Sequence, residues 1–220
     1  MRRLPLSLVA LTSALVLGPA CARSSLYRYG DLSLSLRLSR DIADFQFQDT
    51  LRAVDTRYNR AALDLWSHEL DLVELGITGG VGQLTQDGDP ATEGRAFTGN
   101  SAGLLLRSRW AATASAGIEA RGEAIYHDVS DDDTDFEWLD AYARLGPYAR
   151  IADWRVGGGV TAGLTRGERR RPGETRDFRG EQAIGGYALL AIRTRRRGEV
   201  SASLEAGPRE QLTVRFSARF

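Results

Sequence analysis

The chain has 220 residues, 29 of them basic and 29 acidic, and every base is arginine. A single cysteine excludes a disulfide framework or a cysteine-rich metal site, and zero formal charge argues against a nucleic-acid binder. The hydrophobic fraction of 42% suffices for a core, and the length fits one domain.

The chain opens on an address. Arg2 and Arg3 precede an uncharged apolar stretch, Leu4 to Leu17, of signal-peptide length and too short to span a bilayer as a helix. Ala20 and Ala22 form an A-x-A cleavage site, which divides the chain into a signal peptide, 1–22, and a mature domain, 23–220. Ala20-Cys21 also resembles the end of a bacterial lipobox, making Cys21 an alternative lipidation site, although Gly18 stands where that pattern has Leu.

Beyond the address the dominant period is two, the period of strands. Leu32, Leu34, Leu36 and Leu38 alternate with Ser33, Ser35 and Arg37. The same alternation recurs around Ile118, around Val160 and from Leu212 to Phe220. Ten segments follow in order: 31–40, 57–67, 69–84, 102–111, 113–127, 136–151, 153–166, 178–194, 198–206 and 211–220. Very short connections alternate with longer polar ones at 41–56, 85–101, 128–135 and 167–177. The connection at 207–210 breaks this rhythm, being short where a long loop is due. Short turns on one side and long loops on the other are the habit of transmembrane β-barrels. Ten strands also return the chain to the side on which it began. Eight strands follow instead if 31–40 or 198–206 fails to pair.

The last segment, from Leu212 to Phe220, has apolar alternate positions and aromatic residues at Phe216 and Phe220. It resembles the C-terminal assembly signal of the outer-membrane β-barrel proteins of Gram-negative bacteria. That resemblance implies an all-β, closed, antiparallel, up-and-down barrel in the outer membrane. It implies barrel-assembly machinery and periplasmic chaperones as partners during biogenesis, and membrane lipid and lipopolysaccharide afterwards. The soluble alternative is an exported lipocalin-like barrel or a β-sandwich, with the apolar face turned inward.

In a membrane barrel, charges cost about 2–4 kcal/mol on the lipid face, so the charged series must face the lumen. The inward candidates include Arg37, Arg107, Arg109, Glu119, Arg121, Glu123, Asp140, Tyr142, Arg144, Arg155, Glu205, Arg215 and Arg219. Their mixed signs predict ion pairs that plug a narrow lumen, since buried charges need partners. The alternative is a small pore whose conductance depends on Arg107, Arg121 and Arg144. Trp110 and Trp154 fall beside inner turns, the place of an aromatic girdle. Trp66 shares phase with Asp64 and needs a bulge to reach lipid, whereas Trp138 shares phase with Asp140 and points inward.

Chemistry-bearing motifs are sparse. His68 falls in a turn, and His127 precedes the acidic run Asp128 to Asp135. Ten-stranded outer-membrane proteases use Asp and His at the barrel mouth, but their strands rise far above the membrane, for which this chain looks too short. An enzyme acting on lipid or peptide through His127 is therefore a further alternative, and no catalytic residue is assigned. The acidic run lacks EF-hand spacing, so no metal or other cofactor is expected. Arg169, Arg170 and Arg171, with Arg166 and Arg176 nearby, are candidate lipopolysaccharide contacts because arginine forks suit phosphate. Gly157-Gly158-Gly159 and the Gly79–Gly82 run lie within strands and are not phosphate loops. Oligomeric state leaves no trace in the sequence.

Overall fold

The computed structural model describes residues 32–48, 53–67, 73–180, 183–194, 198–206 and 209–219. The expected signal peptide, Cys21, His68 and Phe220 lie outside them. Eleven strands form one antiparallel sheet: β1 Leu32–Phe47, β2 Ala53–Ser67, β3 Val73–Asp87, β4 Ala96–Ala111, β5 Ala116–Ser130, β6 Asp135–Ile151, β7 Trp154–Arg171, β8 Glu174–Gly180, β9 Ala183–Thr194, β10 Gly198–Ala206 and β11 Arg209–Arg219.

Ten of them close a ring in chain order, with β8 set aside. β7 pairs with β9, and β1 closes on β11 from Ser33↔Arg219 to Ala43↔Arg209. The segments 31–40 and 198–206 both pair on two sides, so the condition for eight strands is not met in the membrane.

The additional strand β8 explains the broken rhythm at 207–210. β9, β10 and β11 are 12, 9 and 11 residues long, whereas β1 to β7 run 15–18. Where the short strands stop, β8 bridges the gap, pairing with the top of β7 and with Phe45–Phe47 of β1. The barrel thus has ten strands at its base and eight at its outer rim. The expected loop 167–177 is a hairpin of β7 and β8 and not a loop.

Much of the other expected loops is also strand, and the cause is a change of hydrophobic phase. On β1 the outward residues are Leu32, Leu34, Leu36 and Leu38; higher up, the apolar residues are the inward Phe45 and Phe47. On β2, Leu63 and Leu65 face out below, and Val54 and Tyr58 face in above. On β6, Leu139 and Leu145 face out, while Phe136 and Trp138 face in. Below the switch the strands are patterned for lipid outside; above it they are patterned for water outside and a packed core within. Strands therefore do rise above the membrane, contrary to the expectation from length.

Exposed Trp110 and Trp154 mark the inner edge of the belt. Trp66 needs no bulge. It points inward at 1% exposure, in phase with Asp64, and Gly76 on β3 makes room, since a Cβ there would stand 2.9 Å from its ring. Gly82 likewise clears the hydroxyl of Tyr58.

Candidate functional site

The lumen is the candidate site, and its contents change with depth. The inner half holds charge. Arg37 on β1 bridges Asp64 on β2 at 3.0 Å and Glu123 on β5 at 2.8 Å. Arg215 on β11 reaches the other oxygen of Asp64 at 3.1 Å, and Arg121 lies 3.5 Å from Glu123. A second network centres on Glu119, with Arg109 at 2.6 Å, Arg155 at 2.9 Å and Arg144 at 3.7 Å. Arg144 continues to Glu205 at 3.7 Å, and Arg155 to Glu199 at 2.7 Å. Arg107 pairs with Glu74, and its guanidinium lies 4.6 Å over the Trp66 ring. The room left between these groups is a cavity of about 40 Å³, lined by Arg37, Arg121, Arg215, Ser201 and Ser203 among others. That is space for a few waters.

The outer half is apolar. Phe45, Phe47, Val54, Tyr58, Leu84, Phe97, Val129, Phe136, Trp138 and Phe178 form one buried cluster across the eight-stranded rim. Phe45 stacks on Phe178 at 4.4 Å, and Phe97 meets Phe136 edge-on at 4.8 Å. Such pairs add about 0.5–1.5 kcal/mol each beyond their buried area.

Between the halves sits a polar clasp. His127 stacks on Trp138 at 4.5 Å, its Nδ1 is 3.2 Å from the Tyr58 hydroxyl, and its Nε2 is 3.2 Å from Asp140. Asp140 accepts hydrogen bonds from the Trp138 indole at 3.1 Å and from the Thr165 hydroxyl at 2.5 Å. Asp140 thus faces the lumen, and His127 faces inward, away from the acidic run beside it. His127 is 2% exposed.

The mouth is sealed by residues 88–95. Thr92 is fully buried and donates to Gln86, which in turn donates to Thr56. Asp89 receives Arg169 at 2.5 Å, and the Arg169 guanidinium lies 4.5 Å over the Phe47 ring. Arg169 is 2% exposed and inward, so its assignment as a lipopolysaccharide contact is corrected. Burial opposes ionisation of Asp89, but the Ala91 N–H and Arg169 outweigh it and hold the carboxyl below its usual range. Arg170 faces out and is engaged by Glu137 at 2.7 Å and by Glu168. Arg171 lies at the β7–β8 turn, opposite Glu174. In the acidic run, Asp131 caps its own turn through the Thr134 N–H and is held by Arg95 at 2.5 Å.

Asp64, Arg60, Glu74 and Glu199 join the lumen groups beyond those that alternation alone singles out, and so does the aromatic cluster. The pairs Phe45-x-Phe47 and Phe136-x-Trp138 are the signal that would have found the latter: alternate aromatics in segments otherwise read as loops. Phe216 faces lipid on the closing strand, opposite Leu36.

This is the fold of the outer-membrane β-barrel proteins, and with its apolar belt the chain is a protein of the outer membrane. Among solved structures it is similar to an outer-membrane channel from Pseudomonas putida, at 12% identity, 93% of this chain, 100% of that chain and a TM-score of 0.51. It is also similar to the β-domain of the Bordetella autotransporter BrkA (12%, 87% and 100%, TM-score 0.49) and to Ail, the attachment invasion locus protein of Yersinia pestis (13%, 88% and 100%, TM-score 0.45). At such identities the likeness concerns the fold alone. No sequence-family profile and no curated protein matches the chain.

Proposed function

We propose that this barrel does not conduct and that it acts structurally or through its outer rim. The observation that carries this reading is the buried aromatic cluster filling the rim above an ion-paired inner lumen. A pore needs a continuous wet path. Here charged groups are spent on one another below, and apolar side chains close the way above. The strands that rise beyond the belt present polar side chains outward, including Asp55, Arg57, Asn59, Asp87 and Asn100, which makes the rim the part available to partners.

Liposome swelling tests this. Vesicles carrying the folded chain are expected to swell in small sugars no faster than protein-free vesicles. Swelling at the rate of a general porin would favour the pore, and replacement of Arg107, Arg121 or Arg144 would then alter it. The enzyme alternative has little support in a His127 walled in by Tyr58, Trp138 and Asp140.

A further inference from the structure

One cross-strand pair on the outer surface sets two arginines against each other. Arg166 of β7 and Arg179 of β8 stand directly opposite each other, and both are exposed. No carboxylate among the described residues forms an ion pair with either. Like charges directly opposite on one face destabilise a sheet. Their row continues to Leu139 on one flank and to Gln46 on the other.

Depth gives the pair its meaning. The outward residues of β7 run from Trp154 to Leu164, ten rises, or about 33 Å along the strand at ~3.3 Å per residue. At a tilt of ~40° that is about 25 Å, the height of the apolar band of an outer-membrane barrel. Arg166 is the next outward residue, so the pair sits at the level of the outer-leaflet headgroups, beside exposed Leu139 and above exposed Ile184.

The row above is acidic: Glu137, Glu168 and Asp177 stand side by side. Arg170 serves that row, bonding Glu137 and Glu168 and leaving Arg166 and Arg179 to something else. An anion arriving from bulk water meets the carboxylates first. One arriving from the membrane side meets two guanidiniums, with a single carboxylate, Asp44 of β1, one row below on the Gln46 flank.

We propose that Arg166 and Arg179 form a clamp for the phosphate of an outer-leaflet lipid, whose acyl chains lie along the belt beneath. Two arginine forks across one phosphate satisfy its oxygens and relieve the repulsion between the strands. The site is independent of whether the lumen conducts. It takes the place of the Arg169–Arg171 triplet, of which Arg169 is buried and Arg170 is engaged.

The full chain, folded in zwitterionic detergent, is titrated with bisphosphorylated lipid A, with the same lipid stripped of both phosphates, and with inorganic phosphate. The phosphorylated lipid is expected to bind at least ~10-fold tighter than the stripped one, and Arg166→Gln or Arg179→Gln each to lose roughly 10-fold. Arg57→Gln, on another strand between Asp55 and Asp87, is expected to leave binding unchanged. A second readout changes sign. Without lipid, Arg179→Gln raises the unfolding temperature by removing repulsion; with lipid A present it lowers it relative to wild type. Equal affinity for both lipids, or undiminished binding by the two variants, overturns the clamp. Displacement of the lipid by millimolar inorganic phosphate overturns the lipid as its ligand.

Discussion

Asp64 is the residue on which the inner lumen depends most. It is fully buried and serves Arg37 with one oxygen and Arg215 with the other. Asp64→Asn leaves two buried guanidiniums short of charge, which is expected to cost about 3–5 kcal/mol. The loss is read as a lower temperature for disappearance of the folded band in SDS. Arg170→Ala, which removes only exposed pairs, should stay within about 1 kcal/mol of wild type in the same assay. Alternation puts Asp64 in phase with Trp66, and only a bulge would carry the Trp to lipid, although an indole beside an inner turn suits a membrane interface. What holds Trp66 inside is Arg107 over its ring and a glycine opposite, and neither is visible along a single strand. Arg169 to Arg171 teach the converse. Three like residues in a strand cannot share a face. Once the segment is a strand, the middle residue faces away from its neighbours and the cluster dissolves.

At the scale of elements, the belt segments were legible because their alternation pits leucine against serine or arginine. The rim segments were not, because there the apolar parity inverts. A pattern that switches phase near residue 40 on β1 and near residue 60 on β2 reads as an interruption unless both faces have separate tasks. β8 was hidden for another reason: it and β9 lie on one course opposite β7, and only the shortness of 207–210 hinted that the barrel narrows above them. Two predictions belong here. Phe178→Ala removes the ring that stacks on Phe45 and should cost about 3–5 kcal/mol, loosening the rim before the belt. Amide exchange from β8 should accelerate in that variant while β9 and β10 stay protected. The second concerns the seal over the mouth. The Asp89 carboxyl is held below its usual range, so the stability it lends is present above the ordinary carboxylate range and lost as pH falls through the lowered value. Amide exchange across 88–95, corrected for its intrinsic pH dependence, is expected to be slow at pH 7 and faster in acid, and Asp89→Asn to show the fast rate at both. Equal protection at both pH values in wild type would remove the latch.

The whole molecule joins two kinds of barrel end to end. The base solves the problem of a membrane, with apolar groups outside and paired charge inside. The rim solves the problem of water, with polar groups outside and an aromatic core inside. Its closure requires every strand to hydrogen-bond on both edges, so the folded chain should resist SDS until heated and migrate differently from the boiled form. A mobility that ignores heating would contradict the closed ring itself. Whether the lumen is filled from end to end is decided by single-channel recording in a planar bilayer. Wild type is expected to give a flat baseline at both polarities under conditions where a general porin gives steps. Stepwise conductance from the intact, heat-modifiable wild-type chain would contradict it.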